Sequence, residues 1–143
     1  MKPENRSRAG ITLIEMLVVV MIIGLFVAIV GVKVVGYGTK AQRTAARAQI
    51  NEFKQALDLY KMDVGTYPST EQGLQALRVK PEGADGWEKP YISRDVPLDP
   101  WKHAYVYKFP GDHGDEPDII SYGADGEPGG DGDAADIVSW DLH

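Results

Sequence analysis

The sequence contains no cysteine. That excludes disulfides, thiolate metal sites and thiol catalysis together, although a small extracytoplasmic domain often relies on disulfides to hold its loops. It also has no lysine or arginine beyond Lys108, while ten acids follow from Asp112 to Asp141. No nucleotide motif occurs, and no nucleic-acid partner is expected. His103, His113 and His143 stand without a paired acid or nucleophile at meaningful spacing, so they read as surface residues rather than catalysts. The 143 residues leave room for one modest domain beside whatever the apolar residues build, and its small core needs a staple from somewhere.

The chain has one long apolar run. From Ile11 to Val32 there are 22 residues with a single charge, Glu15. At about 1.5 Å per helical residue such a run spans a bilayer core of about 30 Å. A secretory signal peptide is the rival, but its apolar region is usually about 7–15 residues and ends at a small-residue cleavage site. This run is longer and continues into Lys33 and a helical pattern. The leader before it carries Lys2, Arg6 and Arg8 against Glu4, a basic flank that stays cytoplasmic and sends the bulk of the chain across the membrane.

Glu15 is the anomaly in the run. A carboxylate near the start of an apolar helix is costly in lipid unless a cation meets it. Alternatively it lies at headgroup level as an ordinary helix N-terminal acid, favoured by the dipole there. Its setting is a short basic leader ending in Gly10, then Ile11, Thr12, Leu13, Ile14 and Glu15 and an unbroken apolar helix. That order resembles the class III signal of type IV pilins and pseudopilins. The resemblance implies a prepilin peptidase that cuts between Gly10 and Ile11 and methylates the new amino terminus, leaving Glu15 at the fifth mature position. The family usually has phenylalanine after the cut, where this chain has Ile11.

Beyond the run, Ala45, Ala46, Ile50, Phe53, Leu57 and Tyr60 recur at three- and four-residue steps, an amphipathic continuation to about Met62. The pattern predicts one helix of roughly 50 residues, about 75 Å long. Its lower half is apolar all round and meets lipid or other copies, while its upper half packs on a globular domain. Gly24, Gly31, Gly36 and Gly38 weaken it, which allows local melting or close helix approach around residues 31–38. Gly65 suits a C-terminal cap and Pro68 forbids continuation. Ser69 or Thr70 then caps a short second helix from Glu71 to about Leu77, with Leu74 and Leu77 inward. Residues 78–98 are loop-rich, with a brief segment at Tyr91 and Ile92. Strands are expected over Ala104–Phe109, Asp118–Tyr122 and Asp136–Trp140, forming a small antiparallel sheet against the upper helix. The fold class is therefore α+β.

The stretch from Leu57 to Leu77, Asp99-Pro100-Trp101, Ser121 to Gly126 and Asp136-Ile137 together resemble the major pseudopilins of type II secretion systems, over nearly the whole chain and in order. Each motif also has an architectural reading. Tyr67 and Pro68 fix the exit from the long helix, Glu71 sits at a helix start, and Trp101 anchors core or loop.

The acidic segment from Tyr122 to Ile137 sets Asp125, Glu127, Asp131, Asp133 and Asp136 among five glycines, hard oxygen donors on flexible backbone. Calcium suits that set better than zinc, and the spacing is not an EF-hand. On the residues alone, a solvated acidic tail remains open. The resemblance implies a structural calcium ion held by Asp125, Asp136, the backbone carbonyl of Tyr122 and Asp133, with Asp131 as the alternative to Asp133. Calcium would then be the staple the chain otherwise lacks.

The resemblance further implies a non-enzymatic subunit of a periplasmic pseudopilus. Residues 1–10 would be the leader, 11–35 the membrane and fibre-core helix, and 36–143 the periplasmic domain. The precursor would sit in the bacterial inner membrane with its N-terminus cytoplasmic, in contact with lipid, and then join a homopolymer that drives export of folded proteins. Glu15 would meet the freed amino group of Ile11 on a neighbouring subunit. Partners implied are the prepilin peptidase, minor pseudopilins, the inner-membrane assembly platform with its ATPase, and the outer-membrane secretin. A type IV pilus subunit is the alternative within the class, disfavoured by the absent cysteines. A membrane-anchored calcium-binding module or enzyme is the alternative outside it, and the sequence offers that only scattered acids. A monomeric membrane sensor would need no glutamate at the fifth mature position.

Overall fold

A computed structural model describes residues 11–142, with the side chains of residues 29–37 outside that description. The leader, the cleavage position at Gly10 and His143 therefore lie outside the described residues. The long helix α1 runs Leu13–Val64, 52 residues without interruption. The glycines that weaken it on paper do not break it. Gly24 and Gly38 face open space on the helix surface.

The chain divides into two units between Gly38 and Thr39. In the first, every described side chain from Ile11 to Ala28 is exposed, including Leu13 at 85%, Met21 at 72% and Phe26 at 64%. That exposure covers all sides of the helix, so among the described residues this unit shows no core of its own. The apolar run continues into the residues whose side chains are not described. Among the described residues no helix is long and apolar enough to cross a membrane.

The second unit is built on the upper part of α1. Ala46, Ile50, Phe53, Leu57 and Tyr60 are buried there, as their helical spacing predicts, whereas Ala45 is exposed. One turn of 3.6 residues places Ala45 about 100° from Ala46, off the buried stripe. The helix ends as expected: Gly65 adopts φ 93° and its N–H donates to Lys61 O at 2.8 Å, a conformation that glycine takes without strain. Tyr67 follows, its hydroxyl donating to Asp58 Oδ1 at 2.8 Å while Lys61 Nζ lies 4.5 Å from the ring centroid. Burial first, and then the Asp58 carboxylate, push the Tyr67 hydroxyl up to about 12.

The expected second helix is shorter. Ser69 and Gln72 form a reciprocal pair, Ser69 N–H donating to Gln72 Oε1 at 2.9 Å and Gln72 N–H to Ser69 Oγ at 3.3 Å. The chain then turns at Gly73, φ 58°, and only Leu74–Leu77 follows as a 3₁₀ helix. The left-handed glycine stops Glu71 and Gln72 from joining it. Leu74, Ala76 and Leu77 are buried, as the inward reading requires.

Three strands follow: β1 Val106–Lys108, β2 Asp118–Ser121 and β3 Ile137–Val138, each shorter than its apolar stretch. They form one antiparallel sheet in the order β1-β2-β3, with Tyr107 opposite Ile119 and Ser121 opposite Ile137. Tyr107, Ile119 and Ile137 turn inward and join Phe53, Leu57, Tyr60 and Leu77 in one hydrophobic cluster. Phe53 meets Tyr105 edge to face at 5.2 Å, the geometry that aromatic quadrupoles favour. The sheet thus packs on α1, and the segment between β2 and β3 is the acidic loop.

Candidate functional site

Two features carry chemistry. The first is the start of α1. Thr12 caps it, its Oγ1 accepting from Glu15 N at 3.3 Å while its carbonyl accepts from Met16 N at 3.2 Å. This satisfies helix N–H groups that have no partner within the first turn. Glu15 is the acid of that turn, on an exposed apolar helix. Among the described residues no cation lies within ion-pair distance of it.

The second is the loop from Tyr122 to Asp136, which folds back on itself through glycine. Gly123, Gly126, Gly129, Gly130 and Gly132 all have positive φ. Gly123 and Gly130 are also sites of close approach: a Cβ on Gly123 would lie 3.0 Å from both Ala134 O and Ala135 O, and one on Gly130 2.7 Å from Ala134 O. The loop therefore brings its last carbonyls against its first residues. Asp136 closes the ring, its N–H donating to Gly129 O at 3.2 Å and its Oδ2 accepting from Gly129 N at 3.0 Å. Its other oxygen, Oδ1, is buried and has no hydrogen-bond partner.

A buried, unpaired carboxylate oxygen is expensive unless a cation or donor meets it. That atom is the structural argument for a hard cation here. The donors available, carboxylates and carbonyls without a thiolate, fit calcium. Of the sequence candidates, Asp136 has one oxygen buried without a partner, and Asp125 Oδ1 accepts from Glu127 N at 3.2 Å. Asp131 sits at the start of the 3₁₀ turn Gly132–Ala134 without a side-chain cap bond, and Asp133 lies in that turn, both exposed. Among the described residues no three acids, histidines or cysteines are close enough to share a metal ion. The structure thus does not gather the candidate carboxylates, although the backbone that joins them is rich in glycine.

The base of the loop rests on a residue whose role the sequence does not reveal. Asp99 is buried at 3% exposure, and its Oδ1 accepts from Trp101 N at 3.0 Å and His103 N at 2.8 Å. Its Oδ2 accepts from Ser121 Oγ at 2.6 Å. These bonds tie the Asp99-Pro100-Trp101 turn to the end of β2, immediately before Tyr122. His103 is not a free surface residue: its Nδ1 lies 3.1 Å from Gly123 O, and its ring packs where Gly126 has no side chain. His113 is likewise engaged, stacked on Trp140 at 3.6 Å with Nδ1 2.9 Å from the buried Asp118. The His103–Gly123 and His113–Trp140 contacts join residues 20 and 27 positions apart, so local spacing gave no sign of them, whereas Asp118 lies only five positions from His113. Trp101 packs against the hydrophobic core, an anchor as its type predicts.

Comparison with known proteins places these features in a family context. Residues 33–140 match the family described as type II secretion system (T2SS), protein G, and residues 5–31 match the prokaryotic N-terminal methylation motif. The type II secretion system core protein G of Pseudomonas aeruginosa is 43% identical over 141 residues, covering 96% of this chain and 99% of that one. The core protein G of Vibrio cholerae is 42% identical over 143 residues, covering 98% and 97%. The crystal structure of the major pseudopilin from the type 2 secretion system of enterohaemorrhagic Escherichia coli superposes with a TM-score of 0.63 at 36% identity, covering 74% of this chain and 92% of that one.

Proposed function

This chain belongs to the type II secretion system protein G family, and on that premise we infer that it is the repeating subunit of a periplasmic pseudopilus. The observation that carries this reading is the contrast along α1. The upper part is consumed by the core of the second unit, while the described apolar side chains from Ile11 to Val27 are left exposed around a single carboxylate. Such a surface is stable only in lipid or against other apolar helices.

The subunit works by assembly, not catalysis. The leader, residues 1–10, holds the N-terminus in the cytoplasm; residues 11–35 lie in the inner membrane; and residues 36–143 fold in the periplasm. A prepilin peptidase cuts between Gly10 and Ile11 and methylates Ile11, in keeping with the methylation motif on residues 5–31. In the homopolymer the amino group of Ile11 on one subunit meets Glu15 of a neighbour, which offsets the cost of a buried carboxylate and sets the axial register. Minor pseudopilins, the assembly platform with its ATPase, and the secretin are the other components this subunit works with.

The acidic loop is a calcium site in this reading. Asp136, Asp125, Asp133 or Asp131, and the Tyr122 carbonyl hold the ion. Bound calcium supplies the positive charge that draws the loop carboxylates together, and a ligand present at about 100 times its Kd stabilises the folded state by about 2.7 kcal/mol.

The test of the function is Glu15→Ala in a strain whose own protein G is deleted. The variant is expected to accumulate in the inner membrane with its globular unit folded and to leave secretion and pseudopili at background. Wild-type levels of pseudopili from the variant would refute the register argument.

A further inference from the structure

Arg43 on α1 tethers the acidic loop. Arg43 Nη1 donates to Ala135 O at 2.7 Å, a contact across 92 positions of sequence. Ala135 directly precedes Asp136, the residue whose Oδ1 is buried without a partner. The peptide between them is held from the other side as well, because Asp136 N–H and Oδ2 are both bonded to Gly129. With the Ala135 carbonyl fixed by the helix and Asp136 fixed by Gly129, little backbone freedom remains with which Oδ1 could turn away. We propose that Arg43 is the positioning residue of the cation site: from α1 it pins the Ala135 carbonyl and so aims Asp136 Oδ1 at the ion. This rests on the calcium reading of the loop.

The choice of arginine works against simple electrostatics. A guanidinium does not lose its proton in the physiological range, so a fixed positive charge beside the loop opposes a second cation. Were charge the only effect, removing Arg43 would tighten calcium. Positioning predicts the opposite, because an untethered Asp136 must be ordered at the moment of binding and the ordering entropy is subtracted from affinity. The two effects have opposite signs, and a measured dissociation constant separates them. Gln42 Nε2 meets Pro100 O at 3.4 Å, beneath the loop, and Lys54 Nζ meets Ser139 O at 3.5 Å, beyond it.

The experiment is calcium titration calorimetry on the full chain in detergent, with wild type, Arg43→Met and Arg43→Lys, alongside melting in excess chelator. Arg43→Met keeps the aliphatic stem and removes both charge and donor. It is expected to raise the calcium Kd at least tenfold while melting in chelator within a few degrees of wild type. Arg43→Lys, which restores one donor, should return the Kd to within about threefold. An unchanged or tighter Kd in Arg43→Met would overturn the proposal, since it would leave the guanidinium only its repulsive effect. If Arg43→Met does not fold, Arg43→Gln takes its place with the same two outcomes. A wild type that binds no calcium would overturn the calcium reading itself, and with it this inference, and is told apart by the silent wild-type titration.

Discussion

The Asp136 carboxylate sets the behaviour expected of the loop at the scale of single residues. Its Oδ1 is buried without a partner, so without a cation it is a cost, and with one it is a ligand. Asp136→Asn should therefore melt no lower than wild type in excess chelator and lose the calcium-dependent rise in Tm, a pair of outcomes read in one set of thermal scans. Tyr67 gives a second signature. Its hydroxyl pKa is raised to about 12 in the folded chain, chiefly by burial, against an ordinary value of 10.0. The folded state holds that proton more tightly, so the stabilisation is complete below pH 10 and is lost as pH rises toward 12. Tyr67→Phe should flatten the alkaline limb of the stability profile between those values, with other buried tyrosines keeping a residual slope. Composition marked the loop as oxygen-rich, five acids among five glycines, while the choice of ligands came only from the family resemblance. Asp99 was not: its importance lies in bonds to Ser121, 22 positions away, and no local pattern encodes such a pairing. Arg43 was hidden for the same reason, its partner lying 92 positions downstream.

The long helix shows how much of an element periodicity can carry. Ile50, Phe53, Leu57 and Tyr60 alternate at three- and four-residue steps and are all buried, because a stripe of that spacing has one side to hide. The cap was equally readable, since Gly65 followed by Pro68 leaves a helix no way to continue. Leu57 is 1% exposed in the middle of that stripe. Leu57→Ala should destabilise the globular unit by about 2–5 kcal/mol, measured as a shift in urea midpoint at constant slope. A loss below about 1 kcal/mol would mean that the site collapses freely around the smaller residue. The strands were located correctly but drawn too long, because aromatic and β-branched residues extend beyond the positions where a neighbouring strand is present to pair. Pairing is decided by register, and the observed ladder stops where Ser121 turns to hydrogen-bond Asp99. The second helix failed for a different reason. Ser69, one of the two expected caps, pairs with Gln72, but Gly73 at φ 58° ended the turn before an α-helix could propagate.

On the scale of the whole molecule, the chain is half finished by design. Its second unit has a core, a sheet and a closed loop; the described part of its first has exposed apolar side chains, the capping Thr12 and one acid. A helix of that kind is completed by lipid and then by copies of itself, and the family to which the chain belongs supplies the setting in which both occur. This also explains why so small a domain manages without disulfides. The upper helix contributes a rigid side to its core, and the loop that a disulfide would close is tied instead by Asp99, His103, Arg43 and, on the proposed reading, calcium. The central claim is that the mature subunit begins at Ile11 and polymerises through the helix that starts there. Intact-mass spectrometry of subunits taken from sheared pseudopili tests it most directly. The account predicts a single species with the mass of residues 11–143 plus one methyl group. Fibres built from subunits that retain the leader, or that begin at another residue, would contradict it.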